Sequence, residues 1–233
     1  MRLVLVHGFT QTGRSWGAMA DRPHATALDV VPCDDLWATA EAIGVAGGPA
    51  IYVGYSMGGR LCLHLALARP DLVEGLVLIG ATAGIDADDE RAARRAADEE
   101  LATEIEANGV DAFLDDWLAQ PLFATLSPEQ AGLAARQRDP AVLTASLRRL
   151  GVGTQEPLWD RLHALEMPVL CAAGERDEKF TALAHRLAAS IGANASVSII
   201  EGAGHAAHLE RPDLFGRLLH RFVVGSAPGQ PDH

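Results

Sequence analysis

The chain has 233 residues, 48% of them apolar, with a net charge of −12 and an isoelectric point near 5.1. That length fits one α/β domain, or one domain with an insertion, and the acidity argues against nucleic acid or an anionic membrane surface as partners. No apolar run approaches a membrane span and the N-terminus lacks a signal-peptide pattern, while the three dispersed cysteines, Cys33, Cys62 and Cys171, suggest no metal cluster and a reducing cytoplasm.

Residues 3–6, Leu-Val-Leu-Val, predict a strand buried on both faces. His7-Gly8-Phe9-Thr10 ends it and opens a loop through Trp16. The His7 side chain reads as a structural loop histidine. A second strand is expected over residues 26–31. A helix over 36–45 follows, with Asp34 or Asp35 as its cap, and Gly47-Gly48-Pro49 breaks it. Residues 50–53 are a third apolar strand. Residues 60–68, rich in Leu and Ala, are a helix stopped by Arg69-Pro70-Asp71. A fourth strand covers 75–79.

The pattern then changes. Helices are predicted over 88–107 and 110–119, from Ser127, where Ser127 and Gln130 make a capping box, and from Pro140. After a short helix at 159–165, a strand over 169–173, a helix over 181–191, a strand over 197–200 and a helix over 212–223 complete the chain. Strands alternating with helices predict a parallel, doubly wound sheet with its site at the strand C-terminal ends. Residues 1–84 and 150–224 therefore form an α/β core. Residues 85–149 are a helical insert expected to act as a lid. The tail 225–233 is polar, rich in Pro and Gly, and expected to be disordered.

Between the third strand and its helix lies Gly54-Tyr55-Ser56-Met57-Gly58, a G-x-S-x-G pattern. A strand that becomes a helix through one serine forces that serine into strained geometry, and small flanking residues let the chains pass. The hydroxyl is presented at the tip of the turn, and the Met57 N–H points where an oxyanion forms. This is the nucleophile elbow of the α/β-hydrolase fold. In that fold the turn after the first strand supplies a second oxyanion donor, here the Phe9 N–H. The fold expected is an α/β-hydrolase with a trimmed, mostly parallel sheet and an inserted helical lid.

Ser56, Asp177 and His205 each follow a predicted strand, in the order nucleophile, acid, base. A serine needs an imidazole to take its proton, and the imidazole needs a carboxylate to fix its tautomer. His208 is the rival base; Glu175 and Glu178 are rival acids. Arg60 stands in the first turn of the elbow helix, where a cation opposes the helix dipole. Arg94 and Arg138 lie on the lid. Arginine grips carboxylates bidentately, so arginines over the site of an acidic protein point to a small polyanionic substrate. For Arg94 a solvated helix face is the equal alternative.

The run Gly54 to Arg60, with Ala83-Gly84, Arg94, Trp117, Gln120-Pro121, Phe123, Arg138, the segment Gly174 to Phe180 and Gly202 to His205, resembles the 2-succinyl-6-hydroxy-2,4-cyclohexadiene-1-carboxylate synthases of menaquinone biosynthesis. The likeness covers nearly the whole chain. It implies a lyase without a cofactor, in which Ser56, assisted by His205 and Asp177, removes a ring proton and pyruvate leaves. It implies that Phe9 and Met57 stabilise an oxyanion, that Arg60, Arg94 and Arg138 hold substrate carboxylates, and that Tyr55 and Trp117 line the pocket. The segment between the second strand and the elbow is shorter than in many relatives, their Asp-Leu-Pro-Gly-His-Gly run is absent, and Leu118 replaces an aromatic residue. A serine hydrolase of a small anionic ester or diketone is the alternative function. A monomer or weak oligomer is expected.

Overall fold

A computed structural model describes residues 1–225. Six strands, β1 (Leu3–Val6), β2 (Ala25–Leu28), β3 (Ala50–Tyr55), β4 (Val73–Ile79), β5 (Val169–Gly174) and β6 (Ala195–Ile200), form one sheet. Their order is β2-β1-β3-β4-β5-β6, and each neighbouring pair is parallel. Every residue of β1, β3 and β5 is buried, which is why these strands are continuous apolar runs rather than alternating ones.

The helices are α1 (Leu36–Gly47), α2 (Met57–Ala68), α3 (Asp88–Asn108), α4 (Val110–Leu118), α5 (Pro128–Ala131), α6 (Pro140–Leu150), α7 (Glu178–Ile191), α8 (Ala207–Glu210) and α9 (Pro212–Gly225). Leu36, Ile43, Leu61, Leu65 and Leu187, from α1, α2 and α7, pack with Val4, Val6 and Tyr52 on one face of the sheet. Phe215 and Leu219 of α9 pack with Leu5, Ile51 and Val53 on the other. The segment from α3 to α6 has a small core of its own, in which Ile105, Phe113, Leu114, Leu143 and Leu147 meet. Ser127 and Gln130 make the reciprocal capping box at α5.

Several element ends differ by a few residues from the sequence-based expectation, and those of β2, α2 and the final helix bear on the site or the tail. Strand β2 stops at Leu28 instead of residue 31. The Asp29 carboxylate accepts from Gly13 N–H at 2.6 Å, and Val30 N–H donates to His7 Nε2 at 3.0 Å, so both residues leave the ladder. His7 is therefore a structural histidine. Helix α2 begins at Met57, because Gly58 and Gly59 are part of the helix rather than of the turn. The final helix runs on to Gly225. The rest of the expected tail, residues 226–233, lies outside the described residues.

Three buried imidazoles make the fold sensitive to acid. Burial lowers the pKa of His7, lowers that of His64 to about 4, and lowers that of His208 to about 3. An unfolded histidine binds a proton below about 6.5, whereas these folded ones do not. Their stabilisation is thus complete above about pH 6.5 and is lost as pH falls toward the folded values. Each contributes a slope of about 1.4 kcal/mol per pH unit in that window. The melting temperature is expected to fall between pH 7 and pH 5, and His208→Phe to flatten that fall. A scan of melting temperature against pH, with an unchanged slope in the variant, would contradict the assignment.

Candidate active site

Strand β3 ends at Tyr55 and α2 starts at Met57, so Ser56 alone makes the turn. Its backbone lies at φ 51° and ψ −108°, a region costly for a residue with a Cβ. The neighbours hold it there. Ser56 N–H donates to Ile79 O on β4 at 2.8 Å. A side chain at Gly54 would overlap the backbone of Gly58 and Gly59, and one at Gly58 would overlap the Val6 and His7 carbonyls. The two glycines of the motif are the crossing point of β3, α2 and β1.

The loops after β5 and β6 bring two more groups to the serine. Asp177 caps α7, and its Oδ2 lies 2.7 Å from His205 Nδ1. His205 Nε2 lies 3.3 Å from Ser56 Oγ. Asp177 fixes the imidazole with Nδ1–H as donor and Nε2 as acceptor for the serine hydroxyl. Glu210, a residue that sequence reasoning missed, holds the histidine loop: its carboxylate accepts from Gly204 N–H at 2.7 Å and from Ala206 N–H at 3.1 Å. An acid five residues past the histidine, at the end of α8, was the available signal.

The rivals are placed elsewhere. The His208 ring packs between Trp16 and Tyr55, at centroid distances of 4.7 and 4.4 Å. Glu175 accepts from Gly202 N–H at 2.9 Å, and Glu178 is an exposed residue of the first turn of α7. The N–H groups of Phe9 and Met57 have no acceptor among the described residues, which leaves them free for an oxyanion.

Aromatic side chains enclose His205. Phe180 packs against it at 4.4 Å with the rings tilted by 50°, Tyr55 lies at 5.4 Å and Phe123 at 6.3 Å. Trp117 of α4 touches Phe123 and meets Phe9 edge-on at 5.1 Å. The helical segment is also sewn to the loop after β1. Thr12 N–H donates to Ala135 O at 3.1 Å and Gln137 N–H to Thr10 O at 2.8 Å.

The arginines divide in a way the sequence did not suggest. Arg60 is buried, donating to Leu150 O at 2.7 Å and to Gln155 Oε1 at 3.3 Å. Burial and the charge of Arg94 lower its pKa to about 10, so it stays cationic at neutral pH. Arg94 is half-exposed, with Nε on Asp98 Oδ1 at 2.9 Å. Arg138 is half-exposed, paired with the exposed Asp111 and with Leu133 O. Arg136, two residues earlier, takes the inward place. It is buried beneath the loop after β1, donates to Thr10 Oγ1 at 2.7 Å and to Ala131 O at 2.9 Å, and lies within Coulombic reach of Tyr55. No carboxylate pairs with it among the described residues. The irregular stretch between α5 and α6 has no period from which the inward residue could be read.

A serine at a strained strand-to-helix turn, with histidine and aspartate from the ends of later parallel strands, is the architecture of an α/β hydrolase, and the profile of the alpha/beta hydrolase family matches residues 3–218. A protein of Bacillus subtilis (strain 168), named provisionally as a 2-succinyl-6-hydroxy-2,4-cyclohexadiene-1-carboxylate synthase, is 36% identical over 181 residues, which span 74% of this chain and 65% of that protein. The synthase of that name from Salmonella agona (strain SL483) is 31% identical over 229 residues, 90% of this chain and 88% of its own. The chain belongs to the alpha/beta hydrolase family and, within it, to the 2-succinyl-6-hydroxy-2,4-cyclohexadiene-1-carboxylate synthases. Among solved structures, MenH from S. aureus superimposes with a TM-score of 0.90 at 26% identity, covering 97% of this chain and 94% of that one. An esterase from Thermogutta terrifontis shares the fold at a TM-score of 0.82 and 19% identity, covering 97% and 90%. Among the described residues no helix is long and apolar enough to cross a membrane.

Glu210→Ala removes the acceptor that shapes the loop carrying His205. It is expected to lower turnover about 10- to 100-fold while leaving Ser56 and its strand in place. Steady-state kinetics beside a circular dichroism spectrum checks this; full activity would show that the loop holds its shape without the carboxylate.

Proposed function

We propose that this chain eliminates pyruvate from 2-succinyl-5-enolpyruvyl-6-hydroxy-3-cyclohexene-1-carboxylate to give 2-succinyl-6-hydroxy-2,4-cyclohexadiene-1-carboxylate, a step of menaquinone biosynthesis. The observation that carries the reading is a set of cationic groups in a chain of net charge −12: Arg60 in the first turn of the elbow helix with Arg94 beside it, and Arg136 within Coulombic reach of Tyr55. Family membership supplies the substrate. A simple apolar ester needs none of these cations, and three carboxylates match three guanidinium groups.

The chemistry follows from the substrate. Its ring carbon 2 is next to the succinyl ketone, so the proton there is the acidic one. His205 takes the Ser56 proton, and the serine oxygen takes the ring proton. Charge collects on the ketone oxygen as an enolate, where the Phe9 and Met57 N–H groups donate to it. The electrons return through the ring: the 3,4 double bond shifts to 4,5, a new bond forms at 2,3, and the bond from carbon 5 to the enolpyruvyl oxygen breaks. Pyruvate leaves as its enolate and gains a proton at its methylene carbon, while His205 gives up the proton it took, so serine and histidine end as they began. No acyl group is transferred, so an activated serine serves as a base. The roof formed by Trp117, Phe123 and Phe180 keeps water from the enolate. The inserted helices act as the lid.

Pyruvate release from the substrate, made in situ by the preceding enzyme, tests the reading against a no-enzyme control. Ser56→Ala is expected to lose about 10²- to 10⁴-fold in rate with the fold intact. Release no faster than the control, together with turnover of p-nitrophenyl esters, would instead establish a serine hydrolase.

The arginines give a separate expectation. Arg136→Ala should raise KM about 10- to 100-fold, the cost of a charge-assisted hydrogen bond, whereas Arg138→Ala should change it less than about 3-fold. The reverse order in the same assay would return the role to Arg138.

A further inference from the structure

Asp98 lies on the inner face of α3, 2% exposed. Its Oδ1 accepts from Arg94 Nε at 2.9 Å, and its Oδ2 has no hydrogen-bond partner among the described residues. Gly151, past the end of α6, faces that free oxygen, and a side chain there would overlap it. A buried carboxylate with one unused oxygen, set against a half-exposed arginine, is a net cost to the fold. Such costs persist where a site needs them.

The geometry shows what the arrangement supplies. Asp98 meets Arg94 on the Nε edge and not at the terminal fork. Both Nη groups of Arg94 have no acceptor among the described residues. A guanidinium held from its Nε edge presents its fork for a bidentate carboxylate grip. Arg60 is the neighbour on the other side, within Coulombic reach of both Arg94 and Asp98. Its own partners, Leu150 O and Gln155 Oε1, are neutral. The cluster therefore holds two cations and one anion, and a single ligand carboxylate completes its charge balance.

We propose that Asp98 is a positioning residue for the substrate, holding Arg94 by Nε so that the fork of Arg94, beside Arg60, receives one substrate carboxylate. The choice of substrate rests on the elimination reading above; the carboxylate site itself does not. In the absence of Asp98, Arg94 is free to turn toward solvent, and the like charge of Arg60 drives it there.

The test is a double-mutant cycle on pyruvate release with Asp98→Ala, Arg94→Ala and the double variant. Asp98→Ala is expected to raise KM about 10- to 100-fold with kcat within about 3-fold. The double variant should be no worse than Arg94→Ala alone. Asp98→Asn, which keeps an acceptor oxygen, should recover most of the loss. A fall in kcat at unchanged KM, or additive losses, would overturn the proposal, since a packing role has no reason to vanish when Arg94 is gone. Two measurements stand apart from catalysis. The wild type is expected to show a slowly exchanging Arg94 Nε–H resonance, assigned by its loss in Arg94→Lys, that persists in Asp98→Asn and disappears in Asp98→Ala. Succinate, used as a carboxylate probe in a titration, should bind the wild type more tightly than either single variant and show the same non-additivity. Wild-type protein that binds succinate in this way yet releases no pyruvate would sink the elimination reading and leave Asp98 in its role. Pyruvate release with an additive cycle would do the opposite. An Asp98→Ala variant that does not fold leaves the decision to Asp98→Asn and Arg94→Ala: resonance lost in Asp98→Asn, or succinate binding untouched by Arg94→Ala, would refute the proposal.

Discussion

Three pieces of backbone, β1, β3 and the start of α2, come together at Gly54 and Gly58 with no space for a side chain between them. The strain at Ser56 is the outcome of that crossing. The chain must turn from extended to helical within one residue, and the residue that does so has a positive φ. The hydrogen bond from Ser56 N–H to β4 ties the turn to the middle of the sheet. Because the sheet is parallel throughout, the ends of β5 and β6 lie on the same edge, and the loops carrying Asp177 and His205 have only a short distance to cover. The site is a consequence of sheet geometry, with the loop residues adjusting the last few ångströms.

Around that centre the structure sorts its charges. Most of the acidic excess lies outside: Asp71, Asp86, Glu99 and Glu106 pair on the surface, each held below its ordinary pKa by an arginine. Such exposed pairs add little to stability. The inward arginines are unlike these. Arg60 and Arg136 are buried on neutral oxygens, which costs the fold free energy. Their charges are already desolvated, so any anion that reaches them meets them at low dielectric. The same burial argument keeps His208 neutral, as an aromatic ring packed against Tyr55.

How much of this was legible beforehand depended on periodicity and punctuation. The inner strands were readable because burial on both faces makes β1, β3 and β5 apolar runs, and the elbow because one strand, one helix and one motif stood together. The ends were less readable. Strand β2 was overestimated because Val30 and Val31 look like strand residues, yet the backbone of Val30 is taken by His7. The order of serine, aspartate and histidine followed from strand ends alone. The lid arginines did not: Arg136 and Arg138 differ by two residues in a stretch with no regular period, and only the contact with Thr10 tells them apart. Asp98 and Glu210 were invisible for a related reason. Each looks like a surface acid on a helix until its neighbours, Gly151 for one and the Gly204 and Ala206 amides for the other, show that it faces inward.

The two backbone hydrogen bonds that sew residues 135 and 137 to residues 10 and 12 have a further consequence. The loop they grip is the one that carries Phe9. Swinging the helical insert away from the core at this seam means breaking both bonds, and a loop released from them is free to carry the Phe9 amide out of line. The position of the Phe9 amide therefore depends on the helical segment as well as on β1.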